Sequence, residues 1–363
     1  MTDLPFHRDR SLPSVATPLS LAGIEAFGAV IDARSPAEFA EDRLPGAINC
    51  PVLDDAERAL VGTVYKQQSS FEAKRIGAPM AARNIARHID ERFAAMPKAW
   101  KPLVYCWRGG GRSASLVHVL RQVGWDARQL EGGYKAFRRQ VAADLGTLPA
   151  RFTFRVIAGP TGTGKSRLLE ALAASGAQVL DLEQLAAHRG SVLGDLPGEP
   201  QPPQKTFETQ LWERLSRFDA SRPVYVESES KRVGKLRVPE FLIERMRQGA
   251  CFAIDLAPED RVGLLIEEYA HLIANPDLLV GRLELLSDLH PKERIERWKG
   301  QVAAGEWPQL VAGLLAEHYD PAYRKSMFRN YRQAAIATPI AVRDRGRPGF
   351  LDAARRLLSG PVQ

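Results

Sequence analysis

Residues 152–175 read FTFRVIAGPTGTGKSRLLEALAAS. The apolar run Phe152–Ala158 suits a buried strand, Ser166–Ser175 carries a helical pattern, and the stretch from Gly159 to Ser166 fits GxxxxGK[ST] at every fixed position. Strand, glycine-rich turn and helix in that order let backbone N–H groups close around phosphate oxygens while the helix presents its positive end. The expected phosphate-binding residues are Gly159, Thr161, Gly162, Thr163, Gly164, Lys165 and Ser166. Lys165 would reach the terminal phosphates and the Ser166 hydroxyl suits Mg²⁺, whose requirement the sequence leaves open. Two acids end the following strands, Asp181 after Val179-Leu180 and Glu227 after Pro223–Val226. Either position can orient Mg²⁺ or serve as a base, and either can equally be a helix cap or an ion-pair partner.

Upstream, Leu103-Val104-Tyr105 forms a second apolar strand, followed by Cys106-Trp107-Arg108-Gly109-Gly110-Gly111-Arg112-Ser113 and a helix from Ser113 to Val123. A cysteine at a strand end, facing a helix N-terminus and flanked by Arg108 and Arg112, sits where a thiolate or a bound oxyanion is stabilised. Cys106, Arg108 and Arg112 are therefore candidate catalytic residues. Cys50 and Cys251 lie in apolar strand-like runs and read as core thiols.

The chain has 363 residues, of which 45% are hydrophobic and 26% charged, a composition for two or three globular domains rather than a disordered chain. Fifty Lys and Arg against 43 Asp and Glu leave a net charge of +7. Residues 101–140 hold eight of those bases against two acids, a net +6 that favours a polyanion. Three scattered cysteines without a CxxC pair exclude a zinc cluster or a disulfide framework and fit a reducing compartment. Residues 1–21 lack the apolar core of a secretory signal and no run reaches membrane-span length, so a soluble, cytoplasmic protein is expected. Strand candidates alternate with helical patterns in two blocks separated by the turn residues 144–150. The expected fold class is α/β, with a parallel-sheet domain over 1–146, a P-loop NTPase-like domain over 151–258 and a helical C-terminal part of that module over 259–363. Residues 194–204, rich in Pro and Gly, read as a long irregular loop.

Asp32-Ala33-Arg34-Ser35-Pro36-Ala37-Glu38-Phe39, Leu44-Pro45-Gly46-Ala47-Ile48-Asn49, the Cys106 loop and Leu130-Glu131-Gly132-Gly133-Tyr134 together resemble a rhodanese domain. Arg112 lies six positions after Cys106, one more than in typical sulfurtransferase loops, so the cradle suits a larger, phosphate-like donor. A rhodanese module followed by a P-loop module resembles the tRNA 2-selenouridine synthase family. His188-Arg189-Gly190-Ser191, Gln204-Lys205-Thr206-Phe207-Glu208, Val226-Glu227-Ser228-Glu229-Ser230-Lys231 and His318-Tyr319-Asp320-Pro321-Ala322-Tyr323 extend the likeness over nearly the whole chain.

That resemblance implies conversion of wobble 2-thiouridine in the tRNA anticodon loop to 2-selenouridine through an S-geranyl intermediate. The co-substrates would be geranyl diphosphate and selenophosphate, with Cys106 as selenium carrier, no tightly bound cofactor, and a selenophosphate-supplying enzyme as a partner. Tyr323, Arg324, Lys325, Arg329 and Arg332 belong to a stretch that interleaves aromatic and basic residues, as RNA contacts do. The same stretch also reads as a helix docking its aromatics with a solvated basic face. The competing functional reading of the two modules is a persulfide-relay sulfurtransferase fused to an ATP-dependent, kinase-like module acting on a small molecule.

Overall fold

A computed structural model describes residues 13–191 and 193–359, apart from the side chains of Phe328, Arg332 and Ala334. Contacts divide the chain into two compact units, one of residues 1–145 with 203–217, the other of residues 146–202 with 218–363.

The first unit is built on β1 (Ser14–Val15), β2 (Ala29–Asp32), β3 (Ala47–Asn49), β4 (Pro102–Tyr105) and β5 (Arg128–Leu130). They pair in the order β1-β5-β4-β2-β3, every neighbour parallel. Ile31, Leu103, Val104 and Tyr105 are fully buried, as expected of central strands covered on both faces. The helix Pro36–Glu41 starts with a Ser35/Glu38 capping box and a proline in its first turn, which fixes its start directly after β2. Gly124 in a left-handed conformation (φ +108°) ends the helix Gly111–Val123. At the end of β2 the fully buried Asp32 accepts from Arg34, whose Nη2 lies 2.6 Å from Asp32 Oδ2 and 2.6 Å from the Asp42 carbonyl oxygen. The Arg34 guanidinium also covers the Tyr134 ring, 3.9 Å from its centroid.

In the second unit β6 (Phe154–Ala158), β7 (Gln178–Leu180), β8 (Val224–Glu227), the short hairpin β9 (Arg232–Val233) and β10 (Leu236–Arg237), β11 (Ala250–Asp255) and β12 (Thr338–Ala341) succeed one another. The main sheet runs β12-β11-β6-β8-β7, again all parallel, with β6 central and buried throughout. Helix Lys165–Ala174 follows β6.

Two features differ from the boundaries read off the sequence. Residues 203–217, expected inside 151–258, pack with the first unit. The helix Gln204–Ser216 bonds Asp42 through Thr209 Oγ1 (3.0 Å) and Asp144 through Trp212 Nε1 (2.8 Å), and Glu208 pairs with Arg138. The C-terminal part is also not purely helical. β12 joins the sheet beside β11, and helix Arg347–Ser359 packs Phe350, Ala353 and Ala354 into the same core as Leu168, Leu169 and Leu172. Pro339 hid this strand, since proline is tolerated only at a sheet edge, which is where β12 lies. The intervening helices bury their own cluster around Trp298, Leu283 and Leu310.

Replacing Arg34 by Met should leave Asp32 charged, buried and unpaired, at a cost of about 3–5 kcal/mol. Hydrogen-exchange mass spectrometry should then show lost protection over residues 29–34 and 102–105, with peptides of β6 and β8 unchanged.

Candidate functional site

Cys106 directly follows β4 and is 3% exposed. Its Sγ accepts from the Gly110 N–H (3.2 Å) and from the Ser113 hydroxyl (3.1 Å). Gln129 Nε2 donates to Ser113 Oγ (2.7 Å) and to the Gly110 carbonyl (3.1 Å). The amide fills an acceptor site of the hydroxyl, leaving the single hydroxyl proton for the sulfur or for Gly110 O at 3.2 Å; negative charge on the sulfur favours the first.

The loop keeps this shape because two glycines occupy left-handed conformations, Gly109 (φ +67°) and Gly133 (φ +56°). A Cβ at Gly133 would overlap the Cys106 carbonyl oxygen and the Gly109 nitrogen. That close approach lets Tyr134 and Lys135, in the first turn of helix Gly133–Leu145, donate their N–H groups to the carbonyls of Cys106 and Trp107, each at 2.9 Å. Gln129 and Gly133 carry roles that the sequence reading did not assign.

The two arginines of the loop part company. Arg112 is turned to Glu38, with Nη1–Oε2 at 2.6 Å and Nη2–Oε1 at 3.4 Å, and Arg58 reaches Glu38 at 2.9 Å. Burial works against its charge, yet the Glu38 hydrogen bond and then the Cys106 sulfur hold the Arg112 guanidinium above its ordinary value. Arg112 thus supplies positive potential near the loop, as expected, with Nη1 and Nη2 engaged by Glu38. Arg108 is exposed. Burial pushes the Cys50 and Cys251 thiols up to about 11, in keeping with core roles.

In the second unit the glycine-rich loop borders an open cleft of about 340 Å³ lined by Thr161, Gly162, Gly164, Lys165 and Ser166. Gly162 and Gly164 are left-handed (φ +81° and +78°), and a Cβ at either would press on Leu265 or Phe350. Thr163 faces inward and ties the loop through Oγ1 to Pro160 O (2.8 Å), while Gly159 N–H donates to the Tyr323 hydroxyl (2.6 Å). Arg261 braces the loop from outside, with Nη2 2.8 Å from Thr161 O and 2.6 Å from Asp320 Oδ1. Lys165 Nζ rests on the Gly159 carbonyl at 3.0 Å, inside the cleft.

The acids fall differently from expectation. Asp181 caps helix Leu182–Leu185, accepting from Gln184 N–H at 2.7 Å, and it does not line the cleft. Glu227 is 1% exposed and takes the N–H groups of Leu182 (2.6 Å) and Glu183 (2.9 Å) on one oxygen, while its other oxygen has no partner. Burial, then the charges of Asp181, Glu183 and Glu229, push the Glu227 carboxyl well above the usual range. Glu227 therefore anchors the turn that delivers Glu183, whose Oε2 receives the Ser166 hydroxyl at 2.9 Å. Three carboxylates reach the cleft, Glu183, Glu229 and Glu268, joined there by Arg189. The signal was present: the Asp-x-x-Gln run 181–184 reads as a helix start, which spends the first acid as a cap and frees the third residue of the run.

Beside the cleft lies an apolar chamber of about 60 Å³ lined by Leu272, Leu279, Trp307, Leu310 and Leu314. Thr161, Leu265, Tyr269 and Tyr319 border both spaces.

Two aromatics of the aromatic–basic stretch dock against the unit: the Tyr323 hydroxyl accepts from the phosphate loop, and the buried Tyr331 donates its hydroxyl to the Glu229 carbonyl at 2.7 Å. Arg324, Lys325 and Arg329 are exposed; the Arg332 side chain lies outside the described residues. Within 101–140, Arg112, Arg121, Arg128 and Arg138 are ion-paired; Arg121 and Arg128 share Asp126, already subtracted in the net +6, while Arg112 and Arg138 find Glu38 and Glu208 outside the stretch.

Comparison with known proteins matches residues 20–140 to the rhodanese-like domain and residues 152–277 to the tRNA 2-selenouridine synthase AAA domain. The tRNA 2-selenouridine synthase of Nitrosomonas europaea is 37% identical over 244 residues, covering 66% of this chain and 63% of that protein. The Aeromonas salmonicida protein of the same name is 34% identical over 85% of this chain and 91% of its own length. That of Alcanivorax borkumensis is 31% identical over 81% of this chain and 88% of its own. Against the Nitrosomonas relatives the match spans just under two thirds of their length, 63% and 64%. Among the described residues no helix is long and apolar enough to cross a membrane.

Burial and then the Glu183 charge push the Glu229 carboxyl up to about 8, against the pull of Lys165. The folded protein thus keeps a proton that the unfolded chain releases near 4.5, so stability should fall as pH rises from about 4.5 to about 8. Melting temperatures measured across that range should show the decline in wild type and a flatter profile in Glu229→Gln.

Proposed function

Because the chain belongs to the tRNA 2-selenouridine synthase family, we propose that it converts 2-thiouridine at the tRNA wobble position to 2-selenouridine by way of an S-geranyl intermediate. Geranyl diphosphate and selenophosphate are the co-substrates, and Cys106 carries the selenium. The observation that supports this reading is that an apolar chamber shares four wall residues with the phosphate cleft. A diphosphate bearing a hydrocarbon tail matches a polar cleft flanked by Leu- and Trp-lined space, whereas a nucleotide base and ribose bring polar edges that such walls would leave unpaired.

The chemistry follows from this arrangement. The thiouridine sulfur attacks the allylic carbon of the prenyl chain, the carbon–oxygen bond breaks, and diphosphate leaves. Lys165, the loop N–H groups and the start of helix Lys165–Ala174 are placed to take up the charge that develops on the departing diphosphate. Alkylation turns a poor leaving group into a good one, so the selenium of selenophosphate adds to the base carbon, the alkylated sulfur departs as geranylthiol, and water takes the phosphoryl group off selenium to release phosphate.

At Cys106 the Gly110 N–H and the Ser113 hydroxyl form a small set of fixed donors suited to an anionic chalcogen. Mg²⁺ suits the Ser166 hydroxyl and Glu183, one or two protein oxygens beside a diphosphate being its usual arrangement. The exposed Arg324, Lys325 and Arg329 offer phosphate contacts to tRNA. A selenophosphate-supplying enzyme is the expected upstream partner.

The test is nucleoside mass spectrometry on 2-thiouridine tRNA incubated with both donors. Wild type should yield 2-selenouridine. Cys106→Ala should stall at the geranylated base, and Lys165→Ala should leave 2-thiouridine with at least a hundredfold less geranylation, on the order of a lost charge-stabilising group. ATP turnover required for either step, or unchanged 2-thiouridine in wild type, would overturn the reading.

A further inference from the structure

Two histidines in the second unit form a hydrogen-bonded chain that ends in the phosphate cleft. Arg294 Nη1 lies 2.9 Å from His290 Nδ1, and His290 Nε2 lies 2.9 Å from His318 Nδ1. His318 lines the cleft together with Lys165, Arg189 and Tyr323. Arginine has no acceptor, so Arg294 must donate, and His290 Nδ1 must be the bare nitrogen of a neutral ring. Its proton then sits on Nε2 and is donated to His318 Nδ1. By the same logic the His318 proton sits on Nε2.

Resting on the reading of the cleft as a diphosphate site, we infer that His318 is a neutral N–H donor to a phosphate oxygen of the bound diphosphate, held in that tautomer by His290 and Arg294. Arg294 cannot swing away freely, because its Nε is paired with Glu317 Oε2 at 2.7 Å, and Arg297 holds the same carboxylate. Protonating His318 would put an N–H on Nδ1 facing the N–H of His290, and His290 could yield only by losing Arg294.

The charged and titratable groups around the chain agree with neutrality. On its own turn His318 has Glu317, which is spent on two arginines, and Tyr319, whose ring centroid lies 4.7 Å away. The helix Lys292–Ala304 contributes Arg294 and Arg297, and across the cleft stand Lys165, Arg189, Glu183, Glu229, Glu268, Tyr269, Tyr323 and Tyr331. Burial, then Arg294, lowers His290; burial, then His290, lowers His318. A neutral donor adds direction to a site whose positive charge already comes from Lys165 and Arg189, and its strength stays constant over neutral pH.

Histidine-labelled wild-type protein, read by long-range nitrogen–proton correlation NMR, tests this with inorganic pyrophosphate as the probe. His290 and His318 should both be neutral with the proton on Nε2 from pH 6 to 8, and pyrophosphate should shift the His318 Nε2 signal. In titrations, His318→Phe should weaken pyrophosphate binding about tenfold or more, the scale of one hydrogen bond to a charged group, with part regained in His318→Gln. His290→Leu should release the lock, so that affinity rises below about pH 6.5 as His318 titrates near its ordinary value. A cationic His318 at pH 7, or pyrophosphate bound with its Nε2 unmoved, would overturn the donor role alone. Wild type that fails to bind pyrophosphate would overturn the diphosphate reading and the donor role together.

Discussion

Parallel strands cannot be joined by tight turns; every connection must cross back over the sheet, usually as a helix. That constraint brings each strand's C-terminal end to the same edge and aims the following helix N-terminus across it. Both units obey it, with β4 feeding helix Gly111–Val123 and β6 feeding helix Lys165–Ala174. The cysteine loop and the glycine-rich phosphate-loop motif are two uses of that one geometric consequence. Everything else in either site adjusts how much charge the loop meets and how closely backbone can approach it.

The glycine-rich loops, central strands and flanking helices were legible because each is a local pattern. An apolar run, a cluster of glycines and a helical period all fall within some twenty residues, as in 152–175. What escaped notice depends on distant partners. β12 contains Pro339 and three other residues, and its identity as a strand is supplied by β11, some ninety positions earlier. Helix Gln204–Ser216 lies between strands of one unit and packs with the other because Thr209 and Trp212 find Asp42 and Asp144. The aromatic–basic stretch was ambiguous for the same reason, since only the positions of Gly159 and Glu229 show that Tyr323 and Tyr331 face inward.

Site residues were legible to the same degree. Cys106, Lys165 and Ser166 carry motif spacing and sit where that spacing requires. The acids show the limit of a strand-end rule. A carboxylate at a strand terminus has several uses, and which one it takes is decided by the next few backbone groups. Glu227 meets the first N–H groups of a helix and becomes a buried anchor; Asp181, starting that helix, becomes its cap. Glu183 then inherits the cleft, beside Ser166. Gln129 had no signal of its own, because a lone glutamine on a strand acquires meaning only through Ser113 at 2.7 Å.

The two loops hold anions by different means, and the difference suits their cargo. At Cys106 the nearby cation is turned aside: Arg112 is committed to Glu38, and the sulfur accepts from an N–H and a hydroxyl. The phosphate cleft keeps Lys165 and Arg189 within it and sets Glu183, Glu229 and Glu268 against them. Burial and then the neighbouring Glu183 raise the proton affinity of Glu229, so the cleft balances its carboxylates by holding a proton. A polyanion entering that cleft adds repulsion to the same carboxylates and strengthens their hold on protons, unless a divalent cation enters with it. On the proposed diphosphate reading, occupation would therefore be coupled to uptake of a proton or of Mg²⁺.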